Sequence, residues 1–126
     1  MLLSELIAIC RRGMAGVRDA APGEAEILVS AVTGIPRSRL FLSMGDDVGH
    51  ASARLLPLIA RRRAGEPLQY ILGAWDFFGR EFLLSPVTLI PRPETEGLAS
   101  LAVAALRRST TERPLALDVG TGSGAV

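Results

Sequence analysis

Leu115-Ala116-Leu117-Asp118-Val119-Gly120-Thr121-Gly122-Ser123-Gly124-Ala125-Val126 sets the fold class. An apolar run closes on an acid, and glycine then stands at every second position. A buried strand hands over to a ligand-facing loop in this way, because glycine bends freely and lets backbone N–H groups come close. Leu115 to Val119 is therefore expected as a strand, opened by Pro114. The helix that should follow the loop is expected beyond Val126.

Working outward from that stretch, Thr95 to Arg108 has helical spacing, with Leu98, Leu101, Ala102 and Ala105 on one stripe. Arg107 and Arg108 suit the negative end of its dipole. A helix feeding a buried strand and a glycine loop begins an α/β unit. Pro86, Pro91 and Pro93 mark a stiff segment before it. Trp75, Phe77, Phe78 and Phe82 are four of the six aromatics, and Gly79 divides two β-prone runs, which predicts a hairpin over 74–84.

Residues 1–65 read as a small helical bundle. Leu3, Leu6, Ile7, Cys10 and Met14 follow one helical stripe, and Ala21-Pro22-Gly23 breaks it. A second helix begins near Glu24 with Ile27, Leu28, Ala31 and Val32 inward, and Gly34 ends it. Pro36 opens a short third helix to Leu42. A fourth covers about Val48 to Arg63 with Ala51, Leu55, Leu58 and Ile59 inward. The fold expected is mainly α: a helical domain over 1–73, a β-hairpin and linker over 74–90, and the start of a Rossmann-like α/β domain over 91–126.

The chain has 126 residues, 48% apolar, 21% charged, with net charge +1. These values describe a globular protein rather than a disordered one. They give no general drive toward nucleic acid or a membrane surface. All fourteen basic residues are arginine, which reads as coding bias. Cys10 is the only cysteine, so no intramolecular disulfide forms, in keeping with a cytoplasmic location. Its place on the first helical stripe reads as a buried thiol. No secretory signal is expected at the N-terminus, because Glu5 interrupts the apolar run and Arg11-Arg12 follow it. No run approaches the roughly 18 apolar residues of a membrane span.

The residues of the glycine loop leave several readings open. Gly120-x-Gly122-x-x-Ala125 satisfies the dinucleotide fingerprint. Asp118-x-Gly120-x-Gly122-x-Gly124 equally fits the first motif of S-adenosylmethionine-dependent methyltransferases, and a turn without ligand would look similar. Upstream, Leu89-Ile90-Pro91-Arg92-Pro93-Glu94-Thr95-Glu96 joins Arg62-Arg63-Ala64-Gly65-Glu66-Pro67-Leu68-Gln69-Tyr70-Ile71-Leu72-Gly73 and the hairpin Phe77-Phe78-Gly79-Arg80-Glu81-Phe82. In this order and spacing, together with the glycine loop, the chain resembles the HemK/PrmC family of peptide chain release factor N5-glutamine methyltransferases. The resemblance covers about residues 20–126.

The resemblance implies that Gly120, Thr121, Gly122, Ser123 and Gly124 bind S-adenosylmethionine. It puts Asp118 at the strand end, ordering the loop or meeting the cofactor's amino group, and makes Pro91 to Thr95 a neighbouring wall. It implies class 1 release factors as partners, recognised in part by the helical domain, with no membrane and no direct nucleic-acid contact. The family's Asn-Pro-Pro-Tyr motif and its ribose-binding acid are expected beyond Val126. Residues 1–126 therefore hold no catalytic residue, and the chain by itself is expected to be inactive. A non-catalytic helical adaptor and an amino or amide methyltransferase acting on nucleic acid are the competing readings.

Other conspicuous residues have structural readings beside functional ones. Arg92 and Glu94 would pair with each other or cap the next helix, or face the cofactor. His50, the only histidine, would be solvated or capping. Arg61-Arg62-Arg63 would form either a partner surface or a solvated helix end. The hairpin aromatics would pack as a core or offer a stacking platform.

Overall fold

The computed structural model describes residues 1–126. Its elements are α1 (Leu3–Met14), α2 (Glu24–Thr33), a 3-10 turn (Arg37–Arg39), α3 (Ala51–Arg63), α4 (Leu68–Leu72), β1 (Ala74–Phe77), β2 (Arg80–Leu83) and α5 (Pro93–Arg108). The chain is mainly helical with one antiparallel hairpin. It divides into two compact units, Met1–Leu72 and Gly73–Val126. No helix is long and apolar enough to cross a membrane.

In the first unit, α1, α2 and α3 pack on one another, and α4 rests on α2 and α3. Helix α1 buries Leu3, Leu6, Ile7, Cys10 and Met14, the stripe expected from their spacing. Its first turn is held by Glu5, whose carboxylate accepts the Leu2 N–H at 2.8 Å. Gly13 lets α3 come close: a Cβ there would lie 3.0 Å from Ile59 Cγ2.

The inward face of α2 differs from expectation. Ala25, Leu28, Val29 and Val32 are buried, along with Glu24, whereas Ile27 is half-buried and Ala31 exposed. The stripe at i, i+3, i+4 and i+7 starts at Ala25, two residues before Ile27, with Glu24 turned inward beside it to meet an arginine of α3. Helix α3 begins at Ala51 rather than Val48, and Leu58 is only half-buried while Arg62 is buried. The expected helix from Pro36 to Leu42 is a single 3-10 turn. Only Leu40 of that segment is buried, so no apolar face exists to hold a longer helix. The short α4 had no counterpart in the sequence reading.

In the second unit, Ala74 pairs with Leu83, Trp75 with Phe82, Asp76 with Glu81 and Phe77 with Arg80. Phe78 and Gly79 turn the chain with φ of 56° and 71°. Both central residues thus have the positive φ of a primed hairpin turn. Asp76 accepts the Gly79 N–H at 3.2 Å. Phe77 is the buried aromatic, with Phe82 edge-on at 6.1 Å, while Phe78 is exposed. The four aromatics therefore do not form one continuous core.

Helix α5 starts at Pro93, with proline in its first turn. None of its residues is buried, and Leu98 and Leu101 stand open. The expected strand at Leu115–Val119 is not formed: Leu115, Leu117 and Val119 are 96%, 89% and 84% exposed. A strand of this apolar kind needs parallel neighbours on both sides, and residues 1–126 provide none for it.

Candidate functional site

The second unit brings the glycine loop and the proline-rich segment to one place. Gly120, Gly122 and Gly124 have φ of 81°, 57° and 75°. That left-handed backbone is open to glycine and strained for other residues. Their alternation makes the chain fold back on itself, closed by the Gly124 N–H donating to the Thr121 carbonyl at 2.8 Å. The loop faces Leu89, Ile90, Pro91, Arg92 and Thr95 across a cleft of about 110 Å³, with Phe77 also on its wall.

Four of the five expected cofactor residues, Gly120, Thr121, Gly122 and Ser123, line this cleft. Gly124 lies on the other side of the loop, on a larger hollow of about 930 Å³ beside Phe78, Phe82 and Val103. Of the expected wall, Pro91, Arg92 and Thr95 are present, while Pro93 and Glu94 point into the first turn of α5. Asp118 is exposed and does not line the cleft. No ion pair joins Arg92 to Glu94, and neither caps α5 through its side chain.

Gly120 to Ser123 stand on one side of this cleft and apolar Leu89, Ile90 and Pro91 on the other, and its volume is below that of a complete small-ligand pocket. Phe77, expected as hairpin core or as part of a stacking platform, also lines this cleft. The pairing register explains its place, because it puts Phe77 at the turn end of β1. Glu96, in the first turn of α5, accepts the Phe78 N–H at 2.8 Å and ties the hairpin turn to the start of α5. No motif in the sequence points to that contact, which spans 18 positions.

In the first unit, the run Arg61-Arg62-Arg63, expected as either a partner surface or a solvated helix end, is split: Arg62 is buried, whereas Arg61 and Arg63 are exposed. Arg62 Nε donates to Glu24 Oε2 at 2.8 Å, Arg62 Nη2 donates to Glu24 Oε1 and to the Asp19 carbonyl, each at 3.2 Å, and both side chains are buried. Burial pushes the Glu24 carboxyl up. The hydrogen bonds from Arg62 and from the Ala21 N–H, with the guanidinium charge, outweigh it and hold the group below the usual carboxylate range. Arg61 donates to Glu66 at 2.7 Å, and Arg63 to the Gly13 carbonyl at 3.1 Å. Arg62 is therefore part of the bundle core, while Arg61 and Arg63 make exposed contacts at the end of α3.

His50 is exposed at the N-cap position of α3 without a side-chain capping bond. Cys10 is buried as expected, and burial, with a smaller effect from Glu26, pushes its thiol up to about 11. It is a packing group and not a nucleophile.

Residues 10–73, half of the chain, match the family model described as the PrmC N-terminal domain. The "Release factor glutamine methyltransferase" of Burkholderia pseudomallei is 44% identical over 104 residues, 82% of this chain and 36% of that protein. The one from Nitratidesulfovibrio vulgaris is 42% identical over 109 residues, 86% of this chain and 36% of that protein. The one from Agrobacterium fabrum is 39% identical over 127 residues, 98% of this chain and 44% of that protein. The chain thus spans well under half the length of the curated relatives it matches.

Proposed function

Because the chain belongs to the HemK/PrmC family, with that family's N-terminal domain over residues 10–73, we propose that it supplies the recognition domain and the first cofactor loop of a cytoplasmic release factor glutamine methyltransferase. The enzyme acts in translation termination. It moves a methyl group from S-adenosylmethionine to the glutamine side chain of the Gly-Gly-Gln motif in class 1 release factors. The observation that supports the reading is the cleft shared by Gly120–Ser123 with Leu89, Ile90, Pro91, Arg92 and Thr95.

These residues fit the donor. Glycines with left-handed backbone let N–H groups approach a ligand closely, and Thr121 and Ser123 add hydroxyls for its polar end. Leu89, Ile90 and Pro91 offer an apolar wall for its aliphatic chain. When bound, S-adenosylmethionine supplies an electrophilic methyl group on a sulfonium. The chain's part is to hold and orient that group, which is where positioning lowers a barrier most. An amide nitrogen is a poor nucleophile, because its lone pair is delocalised into the carbonyl. Accepting both of its N–H bonds orients that lone pair, and residues 1–126 contain no Asn-Pro-Pro-Tyr motif to do so.

The test uses labelled S-adenosylmethionine and a purified class 1 release factor. Residues 1–126 alone transfer no label above a blank. The same residues, replacing the matching segment of the Burkholderia relative, restore transfer to the Gly-Gly-Gln glutamine. A replaced enzyme that folds, binds the donor and methylates some other substrate instead would overturn the reading.

A further inference from the structure

We infer that the turn at residues 37–46 is a surface on which the release factor docks, with Phe41 and Leu42 as apolar anchors and Arg37 and Arg39 as flanking charges. The inference rests on the function proposed above and adds a location to it. Phe41 and Leu42 are 80% and 82% exposed, whereas the adjacent Leu40 is 3% exposed and fixes the turn to the bundle. Two large neighbouring apolar side chains held in water are unusual on a small helical domain, and such exposure marks interaction sites.

The turn is ordered before any partner arrives. Leu42 N–H donates to the Arg39 carbonyl at 3.0 Å, and Asp46 N–H donates to that of Ser43 at 2.9 Å. The turn is also pinned to the start of α1, where Leu3 N–H donates to the Asp46 carbonyl at 3.0 Å and Ser4 N–H to that of Met44 at 3.1 Å. Anchors held this way lose little conformational freedom on binding.

Beside Phe41 lies a groove of about 410 Å³, floored by Ile7, Leu40 and Met44 and rimmed by Arg11, Arg37 and Glu26. Glu26 is already engaged by Arg11 at 3.0 Å, and its carboxyl is held below the usual range, chiefly by that bond. The neighbourhood thus carries three guanidinium groups against two carboxylates, Glu26 and the exposed Asp46; with Arg11 taken up by Glu26, Arg37 and Arg39 are the cations beside the anchors. An apolar protrusion flanked by acids on a protein partner complements it. Two cations beside two anchors make a poor track for a phosphate backbone, which takes many more contacts.

Immobilised release factor and the 126-residue chain test this by equilibrium binding, with Phe41→Ser, Leu42→Ser, Arg39→Glu and a control, Leu56→Ser, half-exposed on α3. All four side chains are exposed, so the melting temperatures stay near the parent's. Each serine variant in the turn binds at least about tenfold more weakly. Arg39→Glu weakens binding and flattens its dependence on salt. Leu56→Ser binds like the parent. If the parent binds and the turn variants bind equally well, the surface is wrong and the proposed function stands. If the parent shows no binding to release factor, the function proposed above falls and takes this surface with it.

Discussion

At the residue scale, the buried Arg62–Glu24 pair shows how a chemically suggestive run can be absorbed by structure. Three consecutive arginines read as a surface in the sequence, yet only the fold reveals that Glu24, 38 positions away, faces the middle one. Removing one partner leaves a buried charge uncompensated, so Arg62→Ala should cost about 3 kcal/mol at neutral pH. The Glu24 carboxyl is depressed in the folded state, so its contribution is present above the unfolded value of 4.5 and lost as pH falls through the lower folded value. Parent and variant melting temperatures should therefore converge on acidification below about pH 4. A gap that stays constant from neutral to acid pH would show that the pair does not carry the effect. Cys10 belongs at this scale too. With its thiol pushed up to about 11 and its side chain buried, it should resist alkylation by iodoacetamide in the folded protein and react once denatured.

At the scale of elements, helices were legible wherever one apolar stripe ran through them. Leu3 to Met14 satisfies that condition, and α1 lies where its spacing puts it. The inward face of α2 was misjudged because a buried carboxylate breaks the rule that acids face water. The segment from Pro36 to Leu42 has a helical start signal but no second buried residue, and it stops after one 3-10 turn. The hairpin was legible from Gly79 and its flanking aromatics, since a two-residue turn fixes the register. The glycine loop was legible as a loop, but the facing of Phe77 and Leu89 toward it depends on contacts distant in sequence. The close crossing of α1 and α3 predicts that Gly13→Val should cost about 1–3 kcal/mol, read as a fall in melting temperature, because Ile59 already sits at the limit of contact. An unchanged melting temperature would mean that Ile59 moves aside freely.

At the scale of the whole molecule, the two units differ in what holds them. The first buries a continuous set of side chains from α1, α2 and α3. The second leaves the apolar residues of α5 and of 115–119 open to water. Hydrogen exchange should accordingly be slow in α1 and α3 and fast throughout α5. Equal protection in both would contradict this division. The open residues Leu115, Leu117 and Val119 should also promote association, so a chain ending at Arg113 should scatter less light at high concentration than residues 1–126. The central claim is that the loop from Gly120 to Gly124 receives the methyl donor through its backbone. It is tested most directly by titrating S-adenosylmethionine calorimetrically into the Burkholderia enzyme that carries residues 1–126, with and without Gly122→Val. A valine at a φ of 57° strains the backbone of the loop. The account predicts at least about tenfold weaker binding by the variant, about 1.4 kcal/mol, with the fold intact. Equal affinity in the two proteins would contradict it.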